Sequence, residues 1–327
     1  MYQPPDLSRW KGRNDPLEDN DARRWHHVMR ALDLSGDVEQ TAAGYTCFSL
    51  LGFCCDEGVR RNQGRAGAAE GPAAIRKALR NLSFHHDPER VGLYDAGDLI
   101  CPEGKLEQVQ RMLGKKIVQL LAAGHQPIVL GGGHEVAFGH FLGVHEFCGE
   151  RNRKVGIISL DTHFDLRKYD AKGNSGTSFL QLHEWLMPRG EELTYLVLGI
   201  DEASNTRALF NRARELNVAW HLREDFKSGN LGPVFSAIEK FTSGVQAIYL
   251  SLDLDVLDQA YAPGVSAPSP FGLQPETVRQ VLQKVLRTNK VLSIDVAELN
   301  PSFDQDERTA RLAARFIYDI TDTWVKG

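Results

Sequence analysis

The chain has 327 residues, 42% of them hydrophobic, so it can bury a substantial core as one large α/β domain or as two smaller domains. Its 38 basic and 43 acidic residues give a net charge of −5, and no long basic run indicates a nucleic-acid partner. No segment approaches the roughly 20 apolar residues that cross a bilayer, and the N-terminus lacks a signal region, so we expect a cytoplasmic protein. The five irregularly spaced cysteines predict reduced thiols and argue against a disulfide framework.

The first 45 residues are less regular than the rest of the chain. We interpret residues 1–45 as an N-terminal extension docked on a single domain of residues 46–327. Trp10 and Trp25 are expected to pack on the surface of that domain. The adjacent His26 and His27 are interpreted as a polar pair at a helix end, in preference to catalytic groups.

From residue 46 onward, short β-branched runs alternate with longer amphipathic segments, which predicts repeated βαβ units. The predicted strands are 46–53, 91–96, 127–130, 155–160, 195–200, 218–221, 247–252 and 290–296. Helical periodicity is clear over 106–123 and 275–287. Several strands are apolar almost throughout, as expected where helices cover both faces of a parallel sheet. The prediction is therefore an α/β fold, a three-layer αβα sandwich with a mainly parallel sheet of about eight strands.

Polar side chains follow four of these strands, and six of them are candidate metal ligands: His134, Asp161, His163, Asp165, Asp253 and Asp255. Ligands of sheets of this kind bind beyond the carboxyl ends of the strands, where all six lie. Side chains alternate along an extended segment, so Asp161, His163 and Asp165 are expected to share one face. Four clustered carboxylates would repel one another unless cations offset them, and two divalent ions supply four positive charges.

The ligand types indicate which metal would bind. Four carboxylates and two imidazoles without a thiolate favour a hard ion, and we predict two Mn²⁺ ions per chain, although Zn²⁺, Co²⁺, Ni²⁺ or Fe²⁺ could bind the same groups. Two metals about 3.5–4 Å apart can share a water molecule and present hydroxide to an electrophilic carbon. The pattern therefore favours a hydrolase.

Each motif also has a simpler interpretation. Gly131–Gly133 could form a phosphate-binding turn, but no Gly-Lys-Ser/Thr follows, and a tight turn that points His134 inward is the preferred interpretation. The segment 161–165 could be a solvated loop, and Asp253 could cap a helix. Coordination becomes the better explanation when the segments are taken together.

These motifs resemble those of the ureohydrolase family, which includes arginase and agmatinase, over residues 10–320. The matching segments are Gly-Gly-Gly-His-Glu at 131–135, Asp-Thr-His-Phe-Asp at 161–165, Ser-Leu-Asp-Leu-Asp at 251–255, Gly-Pro-Ala-Ala-Ile-Arg at 71–76 and the loop at 262–268. The resemblance implies that His134 and Asp165 bind one Mn²⁺, that His163 and Asp255 bind the other, and that Asp161 and Asp253 bridge the two. It also implies homo-oligomerisation as a possibility.

Within the family, the chain is most similar to members that hydrolyse N-formimidoyl-L-glutamate to L-glutamate and formamide. Arg167 stands where arginases carry an asparagine, and its guanidinium could bind a carboxylate bidentately. The run Gly-Val-Arg-Arg-Asn at 58–62 adds Arg61 as a second candidate for binding this dicarboxylate amidine, although solvated ion pairs are the alternative for both arginines. The alignment implies that Ser175 contacts the amino-acid portion, and that Phe179 stands where arginases keep a proton-shuttling histidine.

The resemblance assigns catalytic roles to Glu298 and Asp255. Glu298 would hold the amidine-like nitrogens of the substrate, hydroxide shared by the metals would attack the formimidoyl carbon, and Asp255 would relay a proton to the departing nitrogen. Two alternatives remain: an amidinohydrolase that releases urea from agmatine or a guanidino acid, and a metal-binding subunit without activity.

Overall fold

The computed structural model describes residues 1–15, 22–226 and 230–326, and in these ranges ten strands form one sheet. The strands are β1 (Tyr2–Gln3), β2 (Met29–Ala31), β3 (Thr46–Cys54), β4 (Val91–Ile100), β5 (His125–Leu130), β6 (Val155–Leu160), β7 (Tyr195–Ile200), β8 (Ala219–Leu222), β9 (Ala247–Asp253) and β10 (Val291–Ala297). Their order is β1-β4-β3-β5-β10-β9-β6-β7-β8, and β2 also pairs with β4. All pairs are parallel except β1 with β4.

Helices cover both faces of this sheet. They are α1 (Trp25–Val28), α2 (Glu57–Arg61), α3 (Gly71–Leu79), α4 (Leu106–Ala122), α5 (Val136–Gly149), α6 (Ser178–Leu186), α7 (Arg207–Glu215), α8 (Gly232–Ser243), α9 (Pro275–Leu286) and α10 (Arg308–Lys326). Helix α10 packs on α3 and α9, whereas α4 packs on α5, which also contacts α6. None of the helices in the described ranges is long and apolar enough to span a membrane.

Strand β3 shows why this architecture requires almost continuous apolar strands. Phe48 and Leu50 point into one hydrophobic layer, and Leu51 and Phe53 point into the other. All four side chains are fully buried, because successive residues of a strand face opposite sides of the sheet and both sides are covered here. The predicted three-layer αβα sandwich with a mainly parallel sheet is confirmed.

The sheet has ten strands where the sequence predicts about eight. The two additional strands, β1 and β2, contain only two and three residues, too few for a periodic signal. Strand β4 extends to Ile100 beyond the predicted end at residue 96, and β5 begins at His125. Strand boundaries therefore differ by a few residues where polar side chains interrupt the apolar runs.

The N-terminal residues make specific contacts with the rest of the chain, although residues 16–21 lie outside the described ranges. Strands β1 and β2 pair with β4, and Trp10 and Trp25 are only 5% and 2% exposed. The Trp10 indole donates a hydrogen bond of 2.7 Å to Asp95. These two tryptophans therefore belong to the hydrophobic core, and the prediction that they pack on the domain surface underestimated their burial.

Candidate metal centre and substrate pocket

The candidate centre lies at the carboxyl ends of four adjacent strands, in the order β5, β10, β9 and β6. His134 follows β5, Glu298 follows β10, Asp253 ends β9, and the segment 161–165 follows β6. Two backbone hydrogen bonds of 2.8 Å, from Gly131 to Val296 and from Glu298 to Gly132, hold the first two segments together. The parallel register thus brings together residues that are up to 164 positions apart in the chain.

The glycines before His134 are required by close packing. A Cβ atom on Gly132 would lie 1.7 Å from the Cys55 carbonyl oxygen, and one on Gly133 would lie 2.1 Å from the Glu135 carboxylate. Only glycine allows the backbone to pass at these distances. This geometry supports the interpretation of the glycine run as a turn that directs His134 inward.

The first group of candidate ligands surrounds the Nδ1 atom of His134. The distances from Nδ1 to carboxylate oxygens are 3.0 Å for Asp161, 2.9 Å for Asp165 and 3.2 Å for Asp253. All four side chains are buried, yet Nδ1 makes no hydrogen bond of acceptable geometry. A buried nitrogen that faces three carboxylates without a hydrogen bond fits the position of a metal ligand.

The second group surrounds the Nδ1 atom of His163, which lies 3.1 Å from an oxygen of Asp255 and 3.5 Å from an oxygen of Asp161. Donor atoms of His134, Asp161 and Asp165 lie close enough to hold one ion, and those of Asp161, His163 and Asp255 could hold another. Because Asp161 belongs to both groups, its two oxygens could bridge two metals. The structure therefore brings all six predicted ligands together.

The prediction that alternation along an extended segment brings Asp161, His163 and Asp165 to one face was wrong, because the segment after β6 is not extended. Asp165 has a φ angle of 50°, in the left-handed region, and Asp255 lies in a short 3₁₀ turn. The Asp253 carboxylate accepts a hydrogen bond of 2.8 Å from the Asp255 amide, which closes this turn. Tight turns at the strand ends, and not alternation along a strand, direct the carboxylates to one point.

The electrostatics of the centre favour added positive charge. Burial raises the pKa of Asp253, and the neighbouring carboxylates of Asp255 and Asp161 raise it further. Although burial acts in the opposite direction, the nearby carboxylates of Asp161, Asp165 and Asp253 raise the pKa of His134. Both shifts have the same cause, since buried carboxylates that lack cationic partners stabilise any proton or metal ion placed among them.

Glu298 lies at the edge of the centre in a left-handed conformation with φ of 69°. Its Oε1 atom accepts a hydrogen bond of 2.8 Å from the His134 amide, whereas its buried Oε2 atom has no hydrogen-bond partner among the described residues. Burial raises the pKa of this carboxyl to about 8, with a further contribution from Glu135. Oε2 is therefore available to accept hydrogen bonds from a cationic or N–H-bearing ligand.

A cavity of about 90 Å³ opens above these groups. Its lining includes residues from the metal centre and from the opposite wall: Asn62, His134, His163, Asp165, Arg167, Ser175, Gly176, Asp253, Asp255, Ser266, Ala267 and Glu298. Among the described residues the exposed guanidinium of Arg167 makes no ion pair, and a Cβ on Gly176 would lie 3.0 Å from its Cδ. One wall thus carries a free cation and the floor carries carboxylates.

Arg61 does not line this cavity. Its guanidinium donates to Glu57 at 3.1 Å, to Glu107 at 2.6 Å and to the Gly173 carbonyl at 3.0 Å. These contacts join α2 to α4 and to the loop before Ser175, which is a structural role. These hydrogen bonds to protein groups conflict with the prediction that the Arg61 guanidinium binds a carboxylate of the substrate.

Asn62 is the lining residue that the sequence analysis missed. It is the C-terminal cap of α2, and its Nδ2 atom donates a hydrogen bond of 3.1 Å to the Ser175 hydroxyl. The signal was present, because Asn62 ends the same Gly-Val-Arg-Arg-Asn run that contains Arg61. The sequence analysis selected Arg61 because of its charge, whereas the end of α2 places Asn62 at the cavity.

Phe179 packs beneath the centre. It is fully buried, stacks on Tyr195 with ring centroids 4.2 Å apart, and meets the His134 ring edge-on at 5.6 Å. A phenylalanine cannot carry a proton, so its contribution is to hold the orientation of His134.

Comparison with known proteins agrees with this architecture. The sequence model of the Arginase family matches residues 47–321. The chain is 45% identical over 319 residues to a formimidoylglutamase of Geobacillus thermodenitrificans, which covers 97% of this chain and 95% of that protein. A formimidoylglutamase of Chromobacterium violaceum is 41% identical over 316 residues, with 97% and 98% of the two chains covered.

Solved structures show the same fold. The formimidoylglutamase of Bacillus subtilis superposes with a TM-score of 0.81 at 22% identity over 96% of both chains. A Trypanosoma cruzi formiminoglutamase determined with Mn²⁺ superposes with a TM-score of 0.76 at 28% identity, over 86% of this chain and 94% of that one. The chain belongs to the arginase family and is a hydrolase, as the sequence motifs predicted.

Proposed function

We propose that this enzyme hydrolyses N-formimidoyl-L-glutamate to L-glutamate and formamide and uses two Mn²⁺ ions. The observation that carries the proposal is the pairing of Arg167 on one wall of the cavity with the carboxylate and imidazole cluster on its floor. A dicarboxylate with an amidine-like group at its nitrogen end has the complementary charges. The names of the relatives at 41% and 45% identity support the same substrate.

The donor set supports a pair of metal ions. His134 Nδ1 and one oxygen of Asp161 are buried without hydrogen-bond partners, as expected of atoms that bind a cation. His134 and Asp165 would hold one ion, His163 and Asp255 the other, with Asp161 and Asp253 between them. When bound, a pair of divalent ions lowers the pKa of a shared water and so supplies hydroxide near neutral pH.

Glu298 would position the formimidoyl group. Its Oε1 atom is fixed by the His134 amide, so the unpartnered Oε2 atom is the one that can accept hydrogen bonds from the two nitrogens of the amidine. A carboxylate at this point also stabilises the positive charge that a protonated amidine carries.

The opposite wall would bind the glutamate portion. Arg167 can donate two parallel hydrogen bonds to one carboxylate. Because Asn62 donates to the Ser175 oxygen, the hydroxyl hydrogen of Ser175 remains available to the substrate. Reaction with water breaks the bond between the formimidoyl carbon and the glutamate nitrogen, and we assign Asp255 to pass a proton to that departing nitrogen.

A product assay tests the substrate. Metal-free enzyme reloaded with Mn²⁺ should form formamide and glutamate in equal amounts from N-formimidoyl-L-glutamate, and the metal-free enzyme should form neither. Release of urea from agmatine or from a guanidino acid at a higher kcat/KM would instead identify an amidinohydrolase. Failure to turn over any of these compounds while binding Mn²⁺ would indicate an inactive metal-binding subunit.

The Arg167→Ala variant tests carboxylate recognition. We expect KM for N-formimidoyl-L-glutamate to rise roughly tenfold to a hundredfold, because a charge-assisted hydrogen bond contributes about 1.5–3 kcal/mol. The matched control is Lys168→Ala, which removes the neighbouring exposed cation that does not line the cavity. An unchanged KM in Arg167→Ala would place carboxylate recognition elsewhere.

A further inference from the structure

A chain of buried hydrogen bonds leads from His134 away from the cavity into the core of the sheet. The Nε2 atom of His134 lies 2.9 Å from the Ser251 hydroxyl oxygen, and that hydroxyl donates to Asp295 at 2.7 Å. The other carboxylate oxygen of Asp295 contacts the hydroxyl of Tyr249 and lies 2.7 Å from Nδ1 of His140. Ser251, Asp295, Tyr249 and His140 are fully buried, and none of them lines the cavity.

The hydrogen atoms in this series of hydrogen bonds can be assigned by counting donors. The Ser251 hydroxyl has one hydrogen, and the carboxylate of Asp295 can only accept it. Ser251 must therefore accept a hydrogen bond from Nε2 of His134, so Nε2 carries the hydrogen of this imidazole. The lone pair of His134 then lies on Nδ1, the atom that faces the carboxylates of Asp161, Asp165 and Asp253.

The same count applies to His140, at the other end of this series of hydrogen bonds. Its Nδ1 atom faces the carboxylate of Asp295, which accepts. Its Nε2 atom lies 2.5 Å from the Ser293 hydroxyl, whose single hydrogen is donated to the Pro127 carbonyl at 3.1 Å. Both ring nitrogens of His140 therefore face acceptor oxygens, and His140 and Asp295 hold each other in place.

We infer that Asp295, held in place by His140, is a positioning residue for the metal centre: through Ser251 it fixes His134 in the form that presents Nδ1 to a metal ion. A carboxylate linked to the distal nitrogen of a histidine ligand also makes the proximal nitrogen a better donor. This inference goes beyond the proposed reaction and assigns roles to residues outside the cavity. It rests on the proposed metal centre but not on the proposed substrate.

Titration of the metal-free protein with Mn²⁺ alone, followed by calorimetry, tests this role without substrate. The Asp295→Ala variant removes the acceptor, and Ser251→Ala removes the link to His134. In both variants we expect the affinity for one of the two Mn²⁺ ions to fall about tenfold to a hundredfold, and the other affinity to stay near that of the wild type. Anomalous scattering from Mn²⁺-loaded crystals should locate the weakened ion at His134.

Elsewhere in the protein, matched controls exist for each variant. Asp95 is another buried strand carboxylate with a cationic partner, Arg76, and the Ser49 hydroxyl contacts Nδ1 of His125 at 2.6 Å in another buried serine and histidine pair. Asp95→Ala and Ser49→Ala should lose stability but keep both Mn²⁺ affinities. The comparison separates a specific effect on the metal from a general loss of packing.

Three results would overturn the inference: unchanged Mn²⁺ affinities in Ser251→Ala, equal losses in Ser251→Ala and Ser49→Ala, or loss of the ion at His163 in place of the ion at His134. If Asp295→Ala does not fold, the two serine variants decide the question. A wild-type protein that binds no Mn²⁺ at His134 would contradict the proposed metal centre itself. Two wild-type sites with an unaffected Ser251→Ala variant would contradict only the role of Asp295.

Discussion

The protein buries two groups of carboxylates in one sheet, and they are neutralised in different ways. In β4, the Asp95 and Asp98 carboxylates bind the guanidinium of Arg76, a residue that is only 2% exposed, at 2.9 Å and 2.7 Å. At the ends of β6 and β9, the four carboxylates among the candidate metal ligands pair only with histidines, and no lysine or arginine of the described residues forms an ion pair with them.

The difference shows how a structural cluster can be told from a functional one. A buried charge that is left unpaired costs several kcal/mol, so each group needs a cation. The first group receives its cation from the chain, and the fold closes around it. The second group lies in a cavity wall, and its missing charge indicates a ligand that comes from outside the protein.

The largest expected effect is that of Asp255→Asn in the second group. We expect turnover to fall about a thousandfold to ten-thousandfold, because the variant removes a proposed metal ligand and a proposed proton carrier together, and proton transfer alone contributes about 10²–10⁴. Metal analysis should show loss of one of two ions. The metal-free variant should keep its free energy of unfolding within about 1 kcal/mol of the wild type. Full activity with both metals retained would contradict this assignment.

The next effect is that of Arg76→Met in the first group. Loss of the guanidinium leaves two buried carboxylates without their shared cation, so the free energy of unfolding should fall by about 3–5 kcal/mol in urea titrations of metal-free protein. Mn²⁺ affinity should not change. As a control, Arg9→Ala removes the partly exposed second partner of Asp98 and should cost no more than about 1 kcal/mol. Equal losses of unfolding free energy in Arg76→Met and Arg9→Ala would contradict the idea that the buried ion pairs contribute more than the exposed one.

The smallest effect concerns His125, a buried group that has no charged partner in the part of the chain that the structure describes. Burial lowers the pKa of its imidazole to about 4, well below the value near 6.5 expected in the unfolded chain. The unfolded state therefore binds the proton first, and stability is lost as the pH falls from about 6.5 toward 4, by up to roughly 3 kcal/mol. His125→Gln should reduce this loss in unfolding experiments at pH 7 and pH 4.5. If the free energy of unfolding depends on pH identically in the variant and the wild type, His125 does not contribute to this loss of stability.

The sequence was sufficient to predict the αβα sandwich because its central strands are buried on both sides and their apolar runs are nearly continuous. It was not sufficient for β1 and β2, whose pairing depends on β4 and not on any pattern of their own. The convergence of the metal ligands was predicted from their positions after strands. Their detailed geometry was not, since it depends on turns such as the left-handed Asp165.

The pocket wall shows a second limit of sequence reasoning. Arg61 and Asn62 are neighbours, yet only Asn62 lines the cavity, because α2 ends there and Arg61 turns toward Glu57 and Glu107. Which of two polar neighbours faces a ligand is decided by the direction of the helix and by the partners on the adjacent helix. Glu57 lies one turn earlier in α2, but Glu107 lies 46 positions away, so a local motif could not reveal both charge partners of Arg61.

The strand order has a consequence for when the candidate metal centre can assemble during synthesis. Strands β5 and β6, which precede His134 and Asp161, are not neighbours, because β10 and β9 are inserted between them. A nascent chain that has emerged only through β8 carries four of the six candidate ligands but lacks the two strands that lie between β5 and β6 in the sheet. A metal ion that needs all six ligands would therefore bind only after the last strands have entered the middle of the sheet.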